Sequence, residues 1–133
     1  MARLAALFPE RTALVPDLPG HGENTAGESP RGEQAPEASI RTFAQRVAEL
    51  CDSLDLTGPI DLIGYSLGGY VGLELACLRP VLVGSLVCHA TKYYWTKAEA
   101  MQAISGIRQA PASPAAIETM CSVISQLGEA ANA

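Results

Sequence analysis

Residues 60–72 read Ile60-Asp61-Leu62-Ile63-Gly64-Tyr65-Ser66-Leu67-Gly68-Gly69-Tyr70-Val71-Gly72, and this stretch decides the architecture. Ile60 to Ile63 follows the breaker Gly58-Pro59 and is a short apolar run, which predicts a buried strand. Leu67 to Leu78 is apolar almost all round, with Glu74 its only charge, so a buried helix is expected there, ended by Pro80. Between them lies Gly64-Tyr65-Ser66-Leu67-Gly68, a G-x-S-x-G pentapeptide. A chance match in a chain of this length arises about one time in twenty at average Gly and Ser frequencies. The weight therefore rests on context, and a strand running directly into a helix is the setting this motif requires. Turning that sharply forces Ser66 into a strained backbone conformation and lifts its hydroxyl clear of the sheet. Gly64 and Gly68 flank it because, on this reading, strand and helix pass too close for a Cβ at either position.

The flanks extend the pattern. Leu82 to Cys88 is a further apolar run rich in valine and leucine, and Thr12 to Pro16 is a shorter one. Strands that do not alternate, separated by helices, predict a parallel sheet covered by helices on both faces. Ser39 is a plausible N-cap for a helix to about Leu54, with Ile40, Phe43, Val47, Leu50 and Leu54 at helical spacing. Residues 1–8 read as the end of a helix. Residues 23–38, rich in Gly, Pro, Glu and Ser, read as a mobile solvated loop. After Ala90 the texture changes. Thr96-Lys97-Ala98-Glu99 is a capping box that opens a helix to about Gln109, and Ser113-Pro114 opens another with Pro at its first position. The expected division is a partial α/β core over 1–95 and a helical segment over 96–133.

Composition excludes several classes. The 133 residues are 48% hydrophobic with a net charge of −5, and the nine Lys and Arg are scattered singly. No basic patch offers itself to nucleic acid or to an anionic membrane surface. No apolar run approaches the roughly 18 residues of a membrane span, and no signal peptide is recognised. Cys51, Cys77, Cys88 and Cys121 form no CxxC pair and show no metal-ligand spacing. No metal and no organic cofactor is expected, and the thiols fit a reducing, cytoplasmic setting.

Asp17-Leu18-Pro19-Gly20-His21-Gly22 after the first apolar run, together with Gly64-Tyr65-Ser66-Leu67-Gly68-Gly69, resembles the α/β-hydrolase fold family. The likeness covers roughly residues 1–95. It implies helix A to strand 6 of that fold, followed by the start of a helical cap, and it implies a serine hydrolase acting on a carboxylic ester or thioester. Ser66 would be the nucleophile and the backbone N–H of Leu67 one oxyanion donor, aided by the positive end of the following helix. Members commonly carry Ser where this chain has Asn24.

A serine hydroxyl needs a base oriented by an acid, in the chain order Ser, Asp or Glu, His. The only histidine after Ser66 is His89, at the end of the neighbouring strand, whereas the family's catalytic His follows a later strand. Three roles stay open for His89: pocket lining, an ordinary strand end, or the base. His21 precedes Ser66 and reads as a loop or site-lining residue, while Asp17 reads as stabilising its own loop in Asx fashion. Tyr65, Tyr94 and Trp95 are the further pocket candidates, with packing anchors as the alternative for the last two. The acid, the base and the second oxyanion donor are expected outside these residues, so the chain reads as a fragment whose sheet edge invites non-native or homo-oligomeric association. Two other readings compete. One is a lyase resembling the menaquinone-pathway synthase, which places Arg where this chain has Tyr70. The other is an inactive remnant or binding module.

Overall fold

In the computed structural model, which describes residues 6–24, 38–112 and 114–130, β1 (Ile60–Tyr65) and β2 (Val83–His89) run side by side in parallel. Leu62 stands opposite Leu86, Ile63 opposite Val87 and Tyr65 opposite His89, with an irregularity between Ile60 and Asp61. Parallel neighbours need a crossover connection, and α2 (Leu67–Leu78) provides it. The helix packs on both strands and, on its other side, on α1 (Ile40–Ser53). At the start of α1 the Ser39 hydroxyl accepts the Thr42 N–H at 3.1 Å, the expected N-cap. Phe43, Ala44 and Cys51 of α1 meet Val71 and Leu75 of α2 and Leu82 ahead of β2 in one buried cluster. Full burial of Phe43 and Leu75 stabilises the fold by roughly 1.5–3 kcal/mol each. Leu54, expected on the apolar stripe of α1, is its C-cap and is exposed.

One expectation is corrected. Thr12 to Pro16 has no assigned secondary structure and pairs with no strand among the described residues, and Leu14 and Val15 are 52% and 57% exposed. A strand exists only through its ladder, and an open cavity separates this run from β1. Arg11, just ahead of the run, forms an ion pair with Asp61 of β1. The described helices cover one face of the sheet, while Ile63 and Val87 on the other are 44% and 56% exposed. The helix expected over residues 1–8 falls mainly outside the described residues, and Leu7 and Phe8 lie exposed in a turn. Most of the loop expected over 23–38 lies outside them as well.

Beyond the sheet, α3 (Lys97–Arg108) and α4 (Pro114–Ala130) pack on each other so closely that a Cβ on Gly128 would stand 2.6 Å from that of Ala100. The capping box at the start of α3 is formed as expected, and Pro114 occupies the first position of α4. α4 returns to the core. Its Val123 joins the Phe43 cluster, and Ser122 Oγ and Gln126 Nε2 both donate to the Ala38 carbonyl, at 3.1 and 3.3 Å.

Candidate active site

Everything at the junction of β1 and α2 follows from one backbone torsion. Ser66 has φ 50° and ψ −111°, the left-handed side of the map that a side chain makes costly. The conformation reverses the chain in a single residue, so β1 ends at Tyr65 and α2 begins at Leu67. Gly64 makes the reversal possible: a Cβ there would lie 2.4 Å from the backbone carbon and oxygen of Gly68. Gly68 behaves otherwise than expected, because a Cβ there meets nothing within 4 Å. Its open side belongs to the cavity that Ser66 also lines. Close approach instead occurs at Gly69, where a Cβ would fall 2.0 Å from Thr91 Oγ1, and at Gly72, where it would fall 2.6 Å from the movable Cδ1 end of Leu86.

The Ser66 peptide groups are tied to β2 and its extension. Ser66 donates its N–H to the His89 carbonyl at 2.9 Å, and its own carbonyl accepts from Thr91 Oγ1 at 3.0 Å and from the Gly69 N–H at 3.1 Å. The N–H of Leu67 opens α2 and has no intrahelical acceptor. The side chain of Ser66 is exposed and makes no cap to the helix. The serine therefore does not serve as a conventional N-cap.

Ser66 lines an apolar cavity of about 630 Å³ that runs between the 14–18 segment and β1, floored by Val47, Val71 and Leu75. Tyr65, Leu67, His21 and Met120 share its wall. His21 donates Nδ1–H to the Pro19 carbonyl at 3.1 Å, and its ring meets Phe43 edge-on. Asp17 holds the loop as expected but over a longer reach: its carboxylate accepts the Glu23 N–H at 3.0 Å, and its carbonyl accepts from Asn24 Nδ2 at 2.9 Å. At the far end, the Ser85 hydroxyl and then Arg11 hold the Asp61 carboxyl below the usual carboxylate range.

Of the four pocket candidates, Tyr65 lines this cavity, whereas His89, Tyr94 and Trp95 do not. The His89 ring packs against Tyr65 with centroids 5.5 Å apart. Trp95 is turned away by its own partners, donating Nε1–H to Tyr70 Oη at 2.8 Å beneath the Lys92 ammonium. Tyr94 is 86% exposed. Among the described residues no histidine or carboxylate side chain is hydrogen-bonded to the Ser66 hydroxyl, and no group of His, Cys, Asp and Glu could hold a metal ion. No helix among them is long and apolar enough to cross a membrane.

Sequence reasoning missed Met120 and Thr91. Met120 comes from α4, with no local signal that its turn of helix reaches back to the loop. Thr91 meets Ser66 across 25 residues, in a stretch whose sequence carries no motif.

Relatives place the geometry in a wider setting. The chain is 37% identical over 75 residues to esterase Rv0045c of Mycobacterium tuberculosis, a match that covers 56% of this chain and 23% of that protein. It is 39% identical over 84 residues to a putative carbamate hydrolase, RutD, of Pseudomonas savastanoi pv. phaseolicola, covering 63% and 30%. Lipase LipV of Mycobacterium tuberculosis is 37% identical over 64% of this chain and 29% of its own. Among solved structures, the N-acyl homoserine lactonase AidH in complex with N-butanoyl homoserine shares the fold with a TM-score of 0.57 at 17% identity, over 86% of this chain and 50% of that one. The chain thus spans about half the length of that solved neighbour and under a third of these curated relatives. The family model of the alpha/beta hydrolase family matches residues 1–127, and the chain belongs to that family.

Proposed function

We propose that this chain carries the nucleophilic centre of a serine hydrolase acting on carboxylic esters or thioesters. The observation that carries the reading is Ser66, held at positive φ between β1 and α2 with its hydroxyl exposed at an apolar cavity. In the reaction, Ser66 Oγ bonds to the substrate carbonyl carbon as its proton passes to a base. The carbonyl π electrons move to oxygen, and the Leu67 N–H, at the positive end of α2, stabilises that oxyanion. Collapse of the tetrahedral adduct expels the alcohol or thiol, which takes the proton, and leaves an acyl-enzyme. Water adds to the acyl carbon by the same steps in reverse and frees the acid and Ser66. The relatives named esterase, lipase and carbamate hydrolase support hydrolysis at a carbonyl. The α3/α4 pair, which brings Met120 to the cavity wall, takes the part of a cap over the acyl group. The reading assigns the base and its acid to residues outside those described.

A second reading is favoured by the free hydroxyl of Ser66: the turn and cavity persist without an activating base, and the chain binds without turning over. Intact-mass labelling with a fluorophosphonate probe separates the two. A stoichiometric adduct on Ser66, lost in Ser66→Ala, is the result expected of a working centre within this chain. Soluble, folded protein that takes no adduct would show that no group of this chain activates Ser66.

A further inference from the structure

A non-glycine residue at positive φ costs about 1–3 kcal/mol and persists only where its surroundings over-determine it. At Ser66 those surroundings are few. The N-terminal peptide group is fixed by the His89 carbonyl, which continues the β1–β2 ladder by one step. On the C-terminal side the Ser66 carbonyl accepts from Gly69 N–H, a bond local to the turn, and from one side chain, Thr91 Oγ1. Two features exist to bring that hydroxyl in. Ala90 takes φ 54° and redirects the chain after β2, so that Thr91 lands beside the turn. Gly69 lacks the Cβ that would stand 2.0 Å from Thr91 Oγ1.

The Ser66 carbonyl and the Leu67 N–H belong to the same peptide group, which is planar and trans. Whatever fixes the carbonyl on one side of that plane fixes the direction of the N–H on the other. A donor to the carbonyl also polarises the N–H, because hydrogen bonds in a chain strengthen one another by about 10–30%. We propose that Thr91 is a positioning residue that aims and polarises the Leu67 N–H through the hydroxyl bond to the Ser66 carbonyl. Resting on the reading of Leu67 N–H as the oxyanion donor, it gives the doublet Gly68-Gly69 two separate duties. Gly68 leaves the cavity open in front of the donor, and Gly69 admits the hydroxyl behind it.

The test compares Thr91→Val, which keeps the shape and removes the hydroxyl, with Thr91→Ser, which keeps the hydroxyl and removes a methyl. In the isotope-labelled full chain, the Ser66 carbonyl carbon and Leu67 amide resonances should move in Thr91→Val and stay near wild type in Thr91→Ser. Where wild-type Ser66 labels, fluorophosphonate labelling should slow by roughly tenfold in the valine variant, less than the 10²–10³ lost when an oxyanion donor is removed outright. The serine variant should restore the rate. If Thr91→Val leaves both resonances in place, or if Thr91→Ser moves them equally, Thr91 acts by packing and the proposal fails. Should Thr91→Val not fold, Thr91→Ala takes its place, and recovery of the resonances from the alanine to the serine variant decides the matter. Resonances that move as expected in a chain whose Ser66 never labels would retain the positioning role and show that no group of this chain activates Ser66.

Discussion

Gly64 and Gly68 are equivalent by motif and opposite by environment. An added methyl at Gly64 meets backbone atoms of Gly68 and Gly69 within 2.5 Å, and backbone cannot step aside as a side chain can. Overpacking costs about 1–3 kcal/mol where side chains yield, so Gly64→Ala should exceed that range and lower the urea midpoint steeply or abolish soluble expression. Gly68→Ala meets open space in the first turn of α2, where losing the glycine penalty of up to about 1 kcal/mol should leave stability equal or raise it. Urea titrations of the two variants check this, and a reversed order overturns it. The sequence made the turn and its serine readable because the pentapeptide sits between two uninterrupted apolar runs. It did not reveal which glycine is sterically required, since that depends on where each Cα hydrogen points. Gly69 and Gly72 owe their close approaches to Thr91 and Leu86, neighbours assigned only by the fold.

Helix α3 begins with a cluster that was largely legible, because capping is local chemistry. The Thr96 hydroxyl accepts the Glu99 N–H at 3.2 Å, and Glu99 accepts the Thr96 N–H at 2.9 Å. Lys92, which no pattern had linked to the box, adds an ion pair to Glu99 at 2.6 Å. Lys92, then the Thr96 N–H and hydroxyl, push the Glu99 carboxyl down from 4.5 to about 2. A carboxyl with a depressed folded-state pKa contributes its stabilisation above its unfolded value and loses it as pH falls through the folded one. The contribution of Glu99 is therefore complete above about pH 4.5 and fades towards pH 2. Thermal midpoints of wild type and Glu99→Gln should differ at pH 6 and converge across that window; parallel acid profiles would show that the box carries no charge-dependent stability. Thr96→Ala should cost about 1 kcal/mol, the usual value of an N-cap. Ser39 ahead of α1 and Pro114 at the start of α4 were readable for the same reason. The run Thr12 to Pro16 was not, because an apolar run becomes a strand only beside a partner, and partnership is not written in five residues.

Across the whole molecule, the core is one-sided. Phe43, Leu75, Leu82 and Val123 gather on the face of the sheet that α1 and α2 cover, while Ile63 and Val87 stand in register on the other. Tyr65 continues that face, and the edge of β1 away from β2 has no ladder partner among the described residues. Apolar surface of this kind joined to an unpaired edge favours association, since a second copy removes both from water at once. The chain should therefore associate with rising concentration in sedimentation velocity. Val87→Lys, which puts a charge at the centre of the exposed face, should shift the distribution towards monomer. Val81→Lys, in the turn ahead of β2 and outside both strands, tests whether charge alone is responsible, because Val81 is also exposed. If both lysine variants dissociate the protein equally, net charge governs its solubility. If wild type stays monodisperse at every concentration, the face is covered in solution by chain from within the same molecule. If Val87→Lys alone acts, the sheet face is the surface through which copies meet.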